Sequence, residues 1–370
     1  MKKLLVLTAV LLSAVSYMAH GGAADAEAEG EETPMSNVQR EGDKVWIEGV
    51  KGWYFSQKGS SVHAAMEAVM RAAGEDVDYS YLVGASALAF RMQVHKTWCP
   101  SSPHPFCGYQ CIRGAVAALP WTIKAYEVKP DDAEGMKRAR ESVVASIDRG
   151  VPCAYGSEED GVIIGYQKGG EEWICVHPFS DGKTFVETKW PWGIGVYTEP
   201  KADMPDRRKL AIDSLKQAVK MAHTKNVEDY ACGFNAWEQW IAHLRDEEWV
   251  ESGLKDGAPL MMGNSWIYTC LVDYRSAAAK YLRSVAPDFE DEVASHLSNS
   301  ADLYDRMVKD VLTKDKCALE VAPRRWDLKE GQQWTQAMRD EQADILIAAF
   351  ALEKQAIGEI EKALALIEKN

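Results

Sequence analysis

From Lys44 onward, short apolar runs alternate with stretches whose apolar residues recur every three or four positions. Val45-Trp46-Ile47 reads as a short strand. Ala64, Ala65, Ala68, Val69 and Ala72 have helical spacing, with Ser60 or Ser61 ahead of them to cap the helix and Gly74 to stop it. Residues 81–92 form a small-residue apolar segment, helix or strand by periodicity alone. Residues 112–119 then predict a short helix, 121–128 a strand, and 131–149 a charged amphipathic helix closed by Gly150. Three apolar runs, 151–155, 162–166 and 172–176, read as strands, the last two joined across Gly169-Gly170. Helices that precede and feed a mostly antiparallel sheet predict an α+β domain over 44–200.

The stretch from Pro200 to Pro205 marks a boundary, beyond which the pattern is helical throughout and predicts an all-α domain over 206–370. In its last helix Ile345, Ala349, Leu352, Ala356, Ile360, Ala363 and Ile367 align as a stripe suited to bundle packing. No internal repeat is present.

The amino terminus has a different character. Lys2 and Lys3 precede an apolar run at 4–15, too short for the roughly 20 residues that span a bilayer, and small residues follow it. This pattern predicts a signal peptide over 1–23, cleaved after Ala23 or, as the alternative, after Ser16, and hence an exported protein, periplasmic or extracellular. Residues 24–43, rich in Asp, Glu, Ala and Gly, predict an acidic disordered linker. No later run is long and apolar enough to span a membrane, so none is expected after cleavage.

A formal net charge of −14 argues against a nucleic acid partner or an anionic lipid surface. Eight Cys in an exported chain predict disulfides. The densest group is His95, Cys99, His104, Cys107 and Cys111, in a loop with three prolines. A disulfide within this loop, or from it to Cys153 or Cys175, is the expectation. Zinc held by the same residues is the alternative, and a Cys111 activated at a helix start is a third reading. The thirteen Trp are scattered and fit half-buried packing. There is no Walker loop, HExxH or dinucleotide fingerprint, and no cofactor is expected.

Gln57, then Ser61 opening a helix, then Gly74, resembles the start of papain-like peptidases of the bacteriocin-leader type. The stretch GVPCAYGSEEDGVIIGYQKGGEEWICVHPFSDG is similar to the second half of that domain. The layout also resembles the amino-terminal domain of the butirosin biosynthesis protein H family, whose members carry a helical carboxy-terminal region. The resemblance covers roughly residues 50–185 and implies a papain-like fold. It implies a nucleophilic Cys where Ser61 stands, a base His where Glu159 and Asp160 stand, and an Asp where His177 precedes Pro178. Gln57 matches the oxyanion-hole position. His63, just past the cap, fits packing better than catalysis.

The resemblance therefore implies an exported, catalytically degenerate protein that binds a peptide or small-molecule ligand in the ancestral cleft, through Gln57, Ser61, Trp53 and Tyr54. The helix start would favour ligand groups with partial negative charge. The alternatives are an active hydrolase or acyltransferase, with Ser61, His177 and Asp160 supplying the residue types of a triad, and a non-catalytic exported scaffold.

Overall fold

The computed structural model describes residues 37–54, 58–129, 131–180, 182–257 and 259–369. The expected signal peptide, most of the expected linker, and Gln57 lie outside the described residues. The chain is mixed α+β and forms two compact units, one comprising the chain up to Tyr79 with Leu119–Pro205, the other Ser80–Ala118 with Asp206–Asn370. The boundary at Pro205 coincides with the sequence reading. The division of the first half does not, because residues 80–118, expected in the sheet domain, belong with the helices.

The first unit is an eight-stranded antiparallel sheet. Its strands are β1 (Val38–Glu41), β2 (Lys44–Ile47), β3 (Trp121–Tyr126), β4 (Cys153–Gly156), β5 (Gly161–Gln167), β6 (Glu172–Val176), β7 (Phe185–Glu187) and β8 (Gly193–Pro200). The central strand is β5. It pairs with β4 through Cys153–Ile163, with β2 through Trp46–Gly165, and with β6 from Val162–Val176 to Gln167–Glu172. Gly165 is required at this crossing, since a Cβ there would sit 2.4 Å from the Val45 carbonyl oxygen.

Helix α1 (Ser61–Ala72) carries the candidate site, and helix α2 (Ala133–Asp148) covers the sheet. The Asp132 carboxylate caps α2 by accepting from the Gly135 N–H at 2.8 Å. Val143 and Ile147 of α2 then pack on Val45, Ile47, Cys153, Ile163, Trp173 and Ile194, which form one apolar core. Gly74 ends α1 with a φ of 84°, as the sequence predicted.

The second unit is mostly helical, its longest helices being Leu260–Val285 and Gln336–Ile367. The expected all-α domain needs correction, because a three-stranded antiparallel sheet is built in. Gln93–His95, from the segment read with the first domain, pairs with Tyr230–Cys232, which pairs with Asn226–Val227. Residues 81–92 are neither one helix nor one strand. Helix Tyr79–Ala85 breaks at Ala87, with φ 63°, and a 3₁₀ turn follows over Leu88–Phe90. In Gln336–Ile367 the buried face includes Gln342 and Glu353 beside Ala349, Ala356, Ile360 and Ala363, while Ile345, Leu352 and Ile367 are half-buried. Both polar residues are paired. Gln342 exchanges two 2.9 Å hydrogen bonds with Asn264, and Glu353 receives Arg275 at 2.7 and 2.8 Å.

Candidate functional site

Ser60 is the residue ahead of α1, yet its hydroxyl caps no backbone N–H. It bonds the Nδ1 of His63 at 2.7 Å instead, and its N–H donates to the Tyr79 hydroxyl at 3.0 Å. Both side chains are buried, His63 completely. The expected cap is thus replaced by a serine–imidazole pair on one helical turn.

Ser61, the first helical residue, is 1% exposed and faces the turn between β4 and β5. Its hydroxyl donates to Glu159 Oε2 at 2.6 Å and accepts the Asp160 N–H at 3.0 Å. Asp160 Oδ2 stands 3.3 Å away. A hydroxyl has one proton, so the shorter contact to Glu159 takes it. The two acidic residues at the expected base position do meet Ser61, but as acceptor and backbone donor.

His177 follows β6 and reaches the same turn. Its Nε2 lies 3.0 Å from the Glu159 carbonyl oxygen, which can only accept, so Nε2 carries a proton. Its Nδ1 accepts the Phe179 N–H at 3.2 Å. Ser157 Oγ is 3.5 Å from Nε2 and donates to the Glu159 carbonyl. The ring stacks near Tyr155, at 6.3 Å and 27°, and near Phe179 at 5.2 Å. Burial holds the His177 pKa below its ordinary value, opposed by the Glu159 carbonyl and the charges of Asp160 and Glu187. The imidazole is therefore neutral, with one nitrogen donating to a carbonyl and the other accepting from the backbone.

Three positions far apart in sequence thus gather at one end of the sheet: Ser61 and His177 each bond the Glu159–Asp160 turn. His63 is turned to Ser60. The two proposed aromatic contacts separate. Tyr54 is 44% exposed, whereas Trp53 is 3% exposed and belongs to the interior. Glu67 on α1 is buried and neutralised by Lys58 and by Arg71 at 2.9 Å.

The Cys/His loop lies in the other unit. All eight cysteines are free thiols. Among the described residues no group of three His, Cys, Asp or Glu side chains is placed to hold a metal ion. His95 bonds Thr97 Oγ1 at 2.9 Å. Cys111 is fully buried, 3.4 Å from Met221 Sδ, and burial pushes its thiol up to about 11. That is the opposite of the activation expected at a helix start, because loss of water outweighs the few N–H dipoles of the short helix Arg113–Ala118.

No protein-family model matches the chain, and no curated protein matches it.

Proposed function

We propose that this chain is an exported, catalytically degenerate papain-like protein that binds a peptide or small-molecule ligand beside Ser61, Asp160 and His177. The observation that carries the reading is the hydrogen bonding of Ser61 and His177. A serine nucleophile needs a base to take its proton. Ser61 gives its proton to a carboxylate, and the His177 Nδ1 already holds the Phe179 N–H. A carboxylate with an unperturbed pKa near 4 is a poor base for a hydroxyl at neutral pH. Export rests on the pattern of Lys2, Lys3 and the apolar run at 4–15.

The acidic turn changes the ligand chemistry expected from the helix start alone. Glu159 and Asp160 already face the first turn of α1, so a carboxylate would meet like charge. An amine or amide N–H suits the corner better. The test is a ligand-observed NMR screen of capped peptide amides and amine fragments against the wild type and Asp160→Asn. Fragments that bind the wild type and weaken in the variant support the reading. Equal binding to both, or a preference for carboxylates, contradicts it.

One observation favours the enzyme reading, namely the 2.7 Å bond between Ser60 and His63. Both residues are buried, at 2% and 0% exposure, as Ser61 is at 1%, so a molecule reaches either serine only with movement of α1 or of the β4–β5 turn, and what separates the two readings is the hydrogen bonding of Ser61.

A further inference from the structure

Between the π-helical turn Met307–Leu312 and the last helix, Gln336–Ile367, residues 313–335 hold only a short helix, Ala318–Val321, and a 3₁₀ turn, Arg325–Asp327. A stretch this long with so little regular structure needs other ties to keep one shape. It has them. The Tyr268 hydroxyl donates to the Leu312 carbonyl at 2.8 Å, where the stretch begins. The Glu320 carboxylate accepts the Cys317 N–H at 2.7 Å. Asp327 accepts the Arg324 N–H at 2.9 Å and the Arg324 guanidinium twice at 2.8 Å. Gln332 Oε1 accepts the Lys329 N–H at 3.2 Å.

A cavity of about 520 Å³ lies between this braced stretch and the last helix. Small-molecule pockets occupy about 300–1,000 Å³ and combine an apolar lining with a few placed polar groups. Here Leu319, Val321, Leu328 and Met338 supply the apolar lining, and Gln342 supplies a polar group that is fully buried. The Gln342 amide has two N–H donors and two lone pairs on its oxygen. It exchanges one of each with Asn264 at 2.9 Å. The orientation is fixed by Trp240, whose indole N–H can only donate and meets Asn264 Oδ1 at 2.9 Å. Gln342 Nε2 therefore donates to Asn264, and Gln342 Oε1 accepts from it. Among the described residues nothing engages the second Gln342 N–H or the second lone pair. A buried polar function left without a partner is costly, and native structures keep few of them.

The charges around the cavity are mostly spent on its own walls. Lys316 pairs with Glu341, Asp327 with Arg324, and Glu320 with the Cys317 N–H, while Lys329 stands at the exposed rim. An ionic ligand would lose water against apolar side chains and a neutral amide, with no counter-charge at that depth. We infer that the cavity binds a small neutral molecule with an apolar body and a carboxamide head. The head's carbonyl accepts the second Gln342 N–H, and the body covers Leu319, Val321, Leu328 and Met338. Among neutral heads a carboxamide also offers a donor for the remaining lone pair. The site lies wholly in the helical unit and does not depend on the reading of the Ser61 corner.

The test is a methyl-resolved NMR titration of the full chain with hexanamide, hexanoate and hexylamine in turn. Hexanamide should give saturable shifts at the methyls of Leu319, Val321, Leu328 and Met338, and the two ions should bind at least about tenfold more weakly. Leu319→Trp, which fills the cavity from its lining, should weaken hexanamide by at least about tenfold while the variant still unfolds cooperatively. Gln342→Met, which keeps the length of the side chain and removes its N–H, should weaken hexanamide about tenfold. No saturable shift at these methyls with about 10 mM hexanamide overturns the inference. So does binding of hexanoate or hexylamine as tight as that of hexanamide, or unchanged binding by folded Leu319→Trp.

Discussion

Replacing Ser61 by Ala removes one hydroxyl and tests whether it clamps the β4–β5 turn to α1. Two bonds are lost. The first is donation to the Glu159 carboxylate at 2.6 Å, of a kind worth about 1.5–3 kcal/mol. The second is acceptance of the Asp160 N–H at 3.0 Å, and stranding a buried N–H costs about 1–3 kcal/mol. Glu159 is only half-buried, so water replaces part of the first loss. A net cost of about 2 kcal/mol follows, or roughly a 30-fold loss of amide protection where opening of the sheet limits exchange. The assay is hydrogen exchange of the wild type and Ser61→Ala, read at Val162 and Ile163 on β5, which directly follow the turn. Protection within twofold of the wild type, or higher, would refute the reasoning. It would mean that the hydroxyl is not committed to the turn and remains available for chemistry.

Further outcomes follow from the same structure. Arg275→Met should destabilise the helical unit by about 3–5 kcal/mol in denaturant titration, because Glu353 at 2% exposure loses its 2.7 and 2.8 Å partner; Arg275→Met with Glu353→Leu should recover most of the loss, and equal losses in both would contradict this. The His177 ring should titrate by NMR below the ordinary imidazole value of about 6.5. Because the folded-state pKa is lowered, its stabilisation is fully present above the unfolded value of about 6.5 and is lost as pH falls from there through the folded pKa, so His177→Gln should blunt the acid loss of the sheet unit; titration above 6.5 would reverse the sign. Material recovered from the exported fraction should begin between Tyr17 and Asp25, and mass spectrometry finding intact Met1 there would remove the export proposal.

The sheet unit was legible where local pattern and pairing agree. The helix from Ser61 to Gly74, the strands around Gly165, and the break at Pro205 all follow from spacing and turn residues. The resemblance to papain-like peptidases, not the pattern, pointed to Ser61, Asp160 and His177, which the structure gathers at one turn. It did not reveal that Glu159 rather than a histidine receives the Ser61 proton, because side-chain direction within a tight turn is not written in residue order. The Ser60–His63 pair had a weak signal, a Ser three positions before a His at a helix start, which also fits ordinary capping. The assignment of residues 80–118 depends on Gln93–His95 pairing with Tyr230–Cys232, more than 130 positions later, and such long-range pairing leaves no local trace. The final helix turned by part of its circumference from the expected stripe because an apolar count overlooks Gln342 and Glu353, which are buried through Asn264 and Arg275.

The central proposal, that the corner at Ser61 is a papain-like site without catalytic chemistry and with a binding role, is tested most directly by turnover. Purified wild-type protein, Ser61→Ala and Ser60→Ala should be assayed side by side on a broad panel of peptide and activated ester substrates, from pH 5 to 9. The account predicts that the wild type gives no turnover above the uncatalysed rate and is indistinguishable from both variants. Turnover by the wild type that Ser61→Ala abolishes would contradict it and restore a serine nucleophile at the start of α1.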